Sequence, residues 1–439
     1  MRAMKRGGPA LDLSRYAMAL AGNAGSSGAQ FLLSLVLVAR LPPAGFGLFA
    51  FLLLLAQFVF AVAAALFVAP MAAIARETAR TDGHTPFERS SEQAWTVLSV
   101  LQLIYALTAA IVAIAASALL RTGWSGAAIY GLLVLFGCLR QFGRISQYSR
   151  ADQSGVVASD AFFLVTLLVG VLLILLGDPS RAITLAFAAM ALAHAVGTVP
   201  LRSQFRELRH HLAMPRNTMP TAGILETYRT IWSRYSGWSL LGVVSTEATA
   251  NAHSYLVTLM LGPAGYGAIA ASAVLTRPGN VALVALGEFE RARLARIHAT
   301  SQDPAGSRSL FRAATAAIWL GSVGLACAVL VGFPDLLTAR GYDRGDFTLA
   351  AWGWLAVLLA RCAYLPASTE MQALGAFREL AWPTVIAMPV SLIGTALLLV
   401  YFSPPWTLAA ITLGQVVAGV LIVSRFRQLV VQPRAVPCP

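Results

Sequence analysis

Twelve long apolar runs decide what this chain can fold into. In order they are Tyr16–Ala39, Gly47–Val68, Ala94–Leu120, Trp124–Tyr148, Val156–Leu176, Ala182–Leu201, Tyr235–Leu261, Tyr266–Leu286, Phe311–Val331, Phe347–Thr369, Leu380–Phe402 and Trp406–Val423. Each approaches or exceeds the roughly 20 residues that a helix needs to cross ~30 Å of hydrocarbon. In lipid the backbone must satisfy its own hydrogen bonds, so such runs predict helices. Composition agrees, since 58% of the residues are hydrophobic and only 12% charged, about half the charge of a soluble domain. The sequence thus predicts an all-α integral membrane protein of about twelve transmembrane helices. Trp95, Trp124, Trp382 and Trp406 lie near run ends, as interfacial aromatics do.

The first run follows Arg2, Lys5, Arg6 and Arg15. It is longer than the ~7–15-residue apolar core of a signal peptide, so it reads as a retained span. The four cysteines are scattered and form no CxxC pair. Neither a disulfide framework nor a metal site is expected.

Lysine and arginine set the orientation. With the N-terminus placed inside, segments on that side carry 24 of the 32 basic residues and the opposite loops carry five: Arg40, Arg121, Arg181, Arg340 and Arg344. This asymmetry predicts cytoplasmic N- and C-termini. It also accounts for the net charge of +13, which faces anionic lipid headgroups and not nucleic acid. The polar stretch after the sixth run divides the chain into an N-lobe over residues 1–210, a cytoplasmic linker over 211–230 and a C-lobe over 231–439.

The two halves are repeats. Leu41-Pro42-Pro43-Ala44-Gly45-Phe46-Gly47 returns as Leu261-Gly262-Pro263-Ala264-Gly265-Tyr266-Gly267, an offset of 220 residues, each copy following the first run of its half. Arg76 matches Arg296 at the same offset, and Arg140 matches Arg361 at 221. Copies separated by six spans share one topology, which predicts two pseudo-symmetric six-helix bundles related by an axis along the membrane normal.

Several chemistries lack their residues. The only lysine is Lys5, so a phosphate-binding loop ending in Gly-Lys cannot be built. No HExxH and no GxSxG occurs. The predicted outside loops are short, and the first, Leu41 to Gly45, holds no acid. The reading is therefore a transporter and not an enzyme, without a cofactor.

Ionisable groups at bilayer depth cost at least ~2.5–3.5 kcal/mol each on insertion scales, and persist where they face a cavity or a partner. Arg277 opens Arg277-Pro278-Gly279-Asn280 in the eighth run, where Pro278 predicts a kink. It is a substrate-binding candidate, or else a structural partner of Glu247. Glu247 shares a helical face with Asn251 and Ser254 in the seventh run. It is a proton-coupling candidate, or else makes an interhelical hydrogen bond. Arg140 and Arg361 are further substrate-site candidates, or else snorkel toward the interface. Asn23 lies in a polar stripe of the first run with Ser26, Ser27 and Gln30, a pattern that also serves helix packing. His194 in the sixth run is a packing histidine or a proton-coupling group. Three interior arginines against one glutamate predict a net cationic cavity, suited to phosphate.

The runs Ala39-Arg40-Leu41-Pro42-Pro43-Ala44-Gly45-Phe46-Gly47-Leu48 and Leu259-Met260-Leu261-Gly262-Pro263-Ala264-Gly265-Tyr266-Gly267 resemble polysaccharide biosynthesis proteins, the O-antigen and exopolysaccharide flippases (Wzx-like) of the MOP superfamily. Gln372-Ala373-Leu374-Gly375-Ala376-Phe377-Arg378 resembles that family's turn between the tenth and eleventh helices. The resemblance implies a V-shaped pair of bundles around a central cavity in the bacterial inner membrane. It implies alternating-access transfer of an undecaprenyl-diphosphate-linked oligosaccharide for surface polysaccharide biosynthesis. Implied partners are that glycan, membrane lipids and the polymerase and glycosyltransferase machinery. Relatives keep cavity arginines, commonly in the eighth helix, which Arg277 matches. Some also carry basic residues in the first helix, whereas here none lies between Arg15 and Arg40. The alternatives are a multidrug or small-molecule exporter of the same superfamily, and a membrane polysaccharide polymerase or ligase.

Overall fold

The computed structural model describes residues 9–71, 74, 87–120, 122–149, 153–201, 221–299, 303–332 and 341–431. Every regular element among them is helical. In the first half α1 spans Pro9–Arg40, α2 spans Pro43–Ala63 and continues through a π turn at Ala64–Val68, and α3 is Phe87–Leu119. Next come α4 (Gly123–Ser149), α5 (Gln153–Leu176) and α6 (Ala182–Thr198). In the second half α7 begins with Thr221–Ile231, passes a π turn at Trp232–Ser236 and runs on to Gly262, and α8 continues to Ala299. Then follow α9 (Ala305–Gly332), α10 (Arg344–Ala373), α11 (Phe377–Tyr401) and α12 (Thr407–Val431).

Ten described stretches are long and apolar enough to cross a membrane. One of them, Leu225–Arg291, is 67 residues long and contains both α7 and α8. With α1, itself 32 residues long, the spans number twelve among the described residues. Large apolar side chains such as Ile111, Leu172, Ile393 and Val420 stand more than half exposed on these helices. Such a surface needs lipid as its solvent, and the chain is a multi-pass membrane protein.

Local chemistry explains where the helices stop. The long helix breaks at Gly262, whose φ of 74° and ψ of 178° leave the helical region. Only a residue without a Cβ takes that φ readily, and Pro263 then starts α8 with no N–H to satisfy. After α10, Gly375 adopts φ 77°. The Ala376 N–H bonds the Met371 carbonyl at 2.9 Å and the Gly375 N–H bonds the Gln372 carbonyl at 3.1 Å. That double closure is a Schellman cap, and it makes the Gln372–Arg378 turn that the sequence suggested. On the N-terminal side of α10, Asp343 accepts the Asp346 N–H at 2.7 Å.

The packing repeats with the sequence. In the first half α4 and α5 both pack on α6, and α3 packs on α4; in the second, α10 and α11 both pack on α12, and α9 packs on α10. A Cβ on Gly170 of α5 would run into Ala189 of α6, and one on Gly394 of α11 would come within 2.9 Å of the Ala410 Cβ of α12. Small residues let helices approach where no hydrophobic effect drives them together. These matched contacts place the same device at the same point of each half.

The helices pack into two compact units, one formed by Met1–Leu33 and Leu54–Leu240 and the other by Ser34–Leu53 and Leu241–Pro439. Segment Ser34–Leu53, in the first half by chain order, thus packs with the second unit. Residues 211–220 of the expected linker lie outside the described residues, as does Arg76. The rest of the linker is not a loop, because α7 is already helical from Thr221. Its Tyr228 stacks on Phe67 of the α2 π turn, ring centroids 6.3 Å apart. The Ser236 hydroxyl donates to the Leu66 carbonyl at 2.9 Å. A π turn frees main-chain carbonyls, and here one finds its donor on the other π turn.

Candidate functional site

Two guanidinium groups of the second unit end on neutral partners. Arg277 of α8 donates from Nη1 to the Ser34 hydroxyl of α1. Arg361 of α10 donates from Nη1 to the Asn280 Oδ1 at 3.1 Å. The Asn280 amide in turn donates to the Thr276 carbonyl at 3.3 Å. Residues 277 and 280 are three apart on one helix, so their Cβ atoms are neighbours about 5–6 Å apart. Arg277 thus stands one turn from the Asn280–Arg361 pair along α8, and all three residues are half-buried. Among the described residues no carboxylate pairs with either arginine.

Around Arg277 φ and ψ stay helical through Pro278 and Gly279, and the residue that leaves the helical region is Gly262. Packing is close here. A Cβ on Gly279 would run into the Ser322 hydroxyl of α9 and come within 3.2 Å of Leu358 of α10. One turn on, Leu283 packs with Leu358 and Cys362 under Ile318 and Trp319. Three helices, α8, α9 and α10, converge here.

Glu247 does not pair with Arg277. Its carboxylate accepts the Tyr255 hydroxyl at 2.7 Å, within α7. Farther along the helix the Ser254 hydroxyl bonds the Tyr266 hydroxyl at 3.0 Å and the His253 Nε2 at 3.0 Å. His253 is fully buried and meets Trp354 edge-on at 5.2 Å. Asn251 is half-buried, one turn from Glu247. Asn23 lies in α1, and its side chain is outside the described ones, as is that of Arg296.

Arg140 sits in the other unit and is paired. It is buried in α4, donating to Asp160 of α5 at 2.6 Å and to the Ser159 hydroxyl at 3.1 Å. Its guanidinium lies 4.2 Å from the Phe163 ring centroid. Arg144 takes the second Asp160 oxygen at 3.0 Å. Gly197 of α6 leaves the space that Arg140 fills, since a Cβ there would meet its Nε at 2.6 Å. His194 is buried beside them, with Phe163 at 4.9 Å and Phe60 at 6.0 Å. A carboxylate bridging two guanidiniums, backed by aromatic faces, is a structural ion cluster. The balance of three interior arginines to one acid therefore needs correction: Asp160 answers Arg140 inside the fifth run.

Two other carboxylates, both almost wholly buried, are also paired. Glu370 accepts both forks of Arg308, at 2.7 and 2.5 Å, and the His298 Nε2 at 2.9 Å. Glu290 accepts from Ser307 at 2.9 Å and Arg293 at 3.2 Å. Both acids sit just past the ends of apolar runs, where sequence reading assigns charge to water. Asp160 carried the same signal as Glu247, an acid inside an apolar run. Ser34 carried none, because a lone serine in a spanning helix is ordinary.

No protein-family model matches the chain, and no curated protein matches its sequence. Solved structures do match its fold. An inward-facing multidrug resistance MATE family transporter of the MOP superfamily shares 14% identity over 94% of this chain and 96% of its own, with a TM-score of 0.63. An outward-facing one shares 16% over 97% of both chains, TM-score 0.59. A MOP superfamily transporter from Pyrococcus furiosus, described as having a binding pocket of reverse polarity that suggests a different function, shares 16% over 95% of both, TM-score 0.57. The chain is similar to these along nearly its whole length and shares their fold.

Proposed function

We propose that this chain is a flippase that moves an undecaprenyl-diphosphate-linked oligosaccharide across the bacterial inner membrane by alternating access, with both termini cytoplasmic. The observation that carries this reading is the pair Arg277 and Arg361, each held by a neutral acceptor in a membrane-spanning unit. A guanidinium at bilayer depth without a carboxylate leaves positive charge to be answered from outside the protein. A phosphate answers it well, because its oxygens match the planar fork of arginine. The repeat turns and the turn after α10 support the same family of carriers.

The competing reading is a multidrug exporter, which is what two of the matched structures are described as. An organic cation would be repelled by Arg277 and Arg361. The reversed pocket polarity described for the Pyrococcus furiosus transporter is a precedent for this fold carrying cargo of another charge. Deleting the gene tests the proposal: lipid-linked glycan should accumulate on the cytoplasmic face and a surface polysaccharide should disappear. Intact polysaccharide with lowered drug resistance would support the exporter instead.

A further inference from the structure

We infer that His253 is a proton-binding site of the second unit, with Ser254 and Tyr266 fixing which of its nitrogens takes the proton. The inference goes beyond the cargo reading and does not depend on it. His253 is fully buried in α7, nine residues before the break at Gly262. An ionisable group inside a spanning helix is costly, and by default marks a functional site. Imidazole is the side chain whose ordinary charge change lies nearest neutral pH.

Hydrogen bonding sets the tautomer. The Ser254 hydroxyl donates its one proton to the Tyr266 hydroxyl at 3.0 Å. It therefore accepts at the His253 Nε2, 3.0 Å away, and Nε2 carries the ring proton. Nδ1 keeps a bare lone pair, buried and without a hydrogen-bond partner. That lone pair is where a proton can be added.

The surroundings distinguish this histidine from His194, whose Nδ1 is also unpartnered. His194 and Arg140 pack on the same Phe163 ring, and Arg140 and Arg144 share one carboxylate. A further cation beside two guanidiniums is opposed by their charge. His253 stands among uncharged rings. Trp354 of α10 meets it at 5.2 Å and Tyr266 of α8 at 6.2 Å, and an aromatic face within ~6 Å helps to hold a cation. The Trp354 indole N–H is held by the Ile269 carbonyl at 2.9 Å. The titratable groups around the ring are Tyr266 from α8 and, along α7, Tyr255 and Glu247, which bond each other. A proton on Nδ1 makes both ring nitrogens donors, with the Ser254 oxygen still accepting from Nε2. The site gives a carrier that lacks a nucleotide-binding loop a place to load a proton.

The test is tryptophan fluorescence of the full-length protein in nanodiscs, titrated from alkaline to acid pH. An imidazolium in contact with an indole quenches its emission, so Trp354 reports on His253. Subtracting the trace of W354F isolates that signal. Wild type should show a one-proton loss of Trp354 emission on acidification, and H253N should show none. S254A removes the acceptor of the Nε2 proton, which binds the imidazolium more strongly than the neutral ring. Its step should move to lower pH by about 0.7 unit, the extra strength of a hydrogen bond to a charged group over a neutral one. No step in wild type, or an equal step in H253N, overturns the inference. Should H253N fail to accumulate, S254A carries the test, and a step at the wild-type midpoint overturns the assignment.

Discussion

Gly47 and Gly267, 220 residues apart, meet in one reciprocal contact: the Pro263 carbonyl lies where a Cβ on Gly47 would go, and the Pro43 carbonyl where one on Gly267 would go. Pro43 and Pro263 are themselves 220 apart, so each repeat offers the other the same surface. Such exchange of equivalent contacts is the mark of a local two-fold. The repeated Pro-Ala-Gly motif is therefore more than turn chemistry. Its glycines let the start of α2 and the start of α8 cross at backbone distance, within the second unit.

The crossing predicts a matched pair of mutants. Gly47→Ala or Gly267→Ala must push apart main-chain atoms, which cannot swing away as a side chain would. Each should cost about 1–3 kcal/mol, the usual penalty of overpacking. Gly28→Ala, where nothing lies within 4 Å of the new Cβ, serves as the control and should not lower Tm. Because both glycines serve one contact, the double mutant should lose less than the sum of the two. Thermal melts of the purified variants decide it, and full additivity would mean that the contacts are independent.

Asp160 should be a folding residue. Asp160→Asn leaves Arg140 and Arg144 facing each other without the carboxylate that bridges them. Breaking a buried pair costs about 3–5 kcal/mol, so the variant should accumulate poorly and melt early. Replacing Arg140 and Asp160 together with leucine and alanine should recover part of the loss. If D160N melts with wild type, Asp160 does not carry this unit's stability.

Arg277 should behave in the opposite way. No carboxylate is orphaned by Arg277→Ala, so the protein should insert and accumulate while polysaccharide export is lost. Arg277→Lys should restore export only in part, because a point charge replaces a planar fork. Glu247 bonds Tyr255 and not Arg277, so Glu247→Gln and Arg277→Ala should act independently, and the double mutant should show no rescue. Recovery of export in the double mutant would reveal a functional pairing that the structure does not contain. Full export in R277A would remove the residue from the cargo site.

Glu370 ties α8, α9 and α10 together through His298 and Arg308. Glu370→Gln removes the charge that both cations share. Stability should fall by about 1–3 kcal/mol, as for a hydrogen bond to a charged group, and cleavage by added protease between α8 and α9 should quicken. An unchanged protease pattern would show that the three helix ends are held by packing alone.

Much of the fold was legible in the sequence because lipid enforces local rules. A run of about twenty apolar residues must close its own hydrogen bonds, so both ends of α4, the last residue of α5 and the start of α12 could be read nearly to the residue, whereas α12 continues eight residues past Val423. The repeat was legible because Pro43, Gly47, Pro263 and Gly267 recur at one spacing. What surrounds Pro278 was not legible, because Gly279 lies against Ser322 of α9 and Leu358 of α10, partners far away in the chain.

The sequence by itself determined which residues enter the membrane, how many times the chain crosses, and that its halves repeat. These depend on composition and on periods of a few residues. Only the tertiary structure decided which charges are answered. Arg140 finds Asp160 twenty residues away, and Arg277 finds Ser34 from 243 away. Both arginines look alike in the sequence, each inside an apolar run. The packing of separate helices makes one a structural ion pair and leaves the other on a hydroxyl, because a charge is cancelled by what stands within a few ångströms of it and not by its neighbours along the chain.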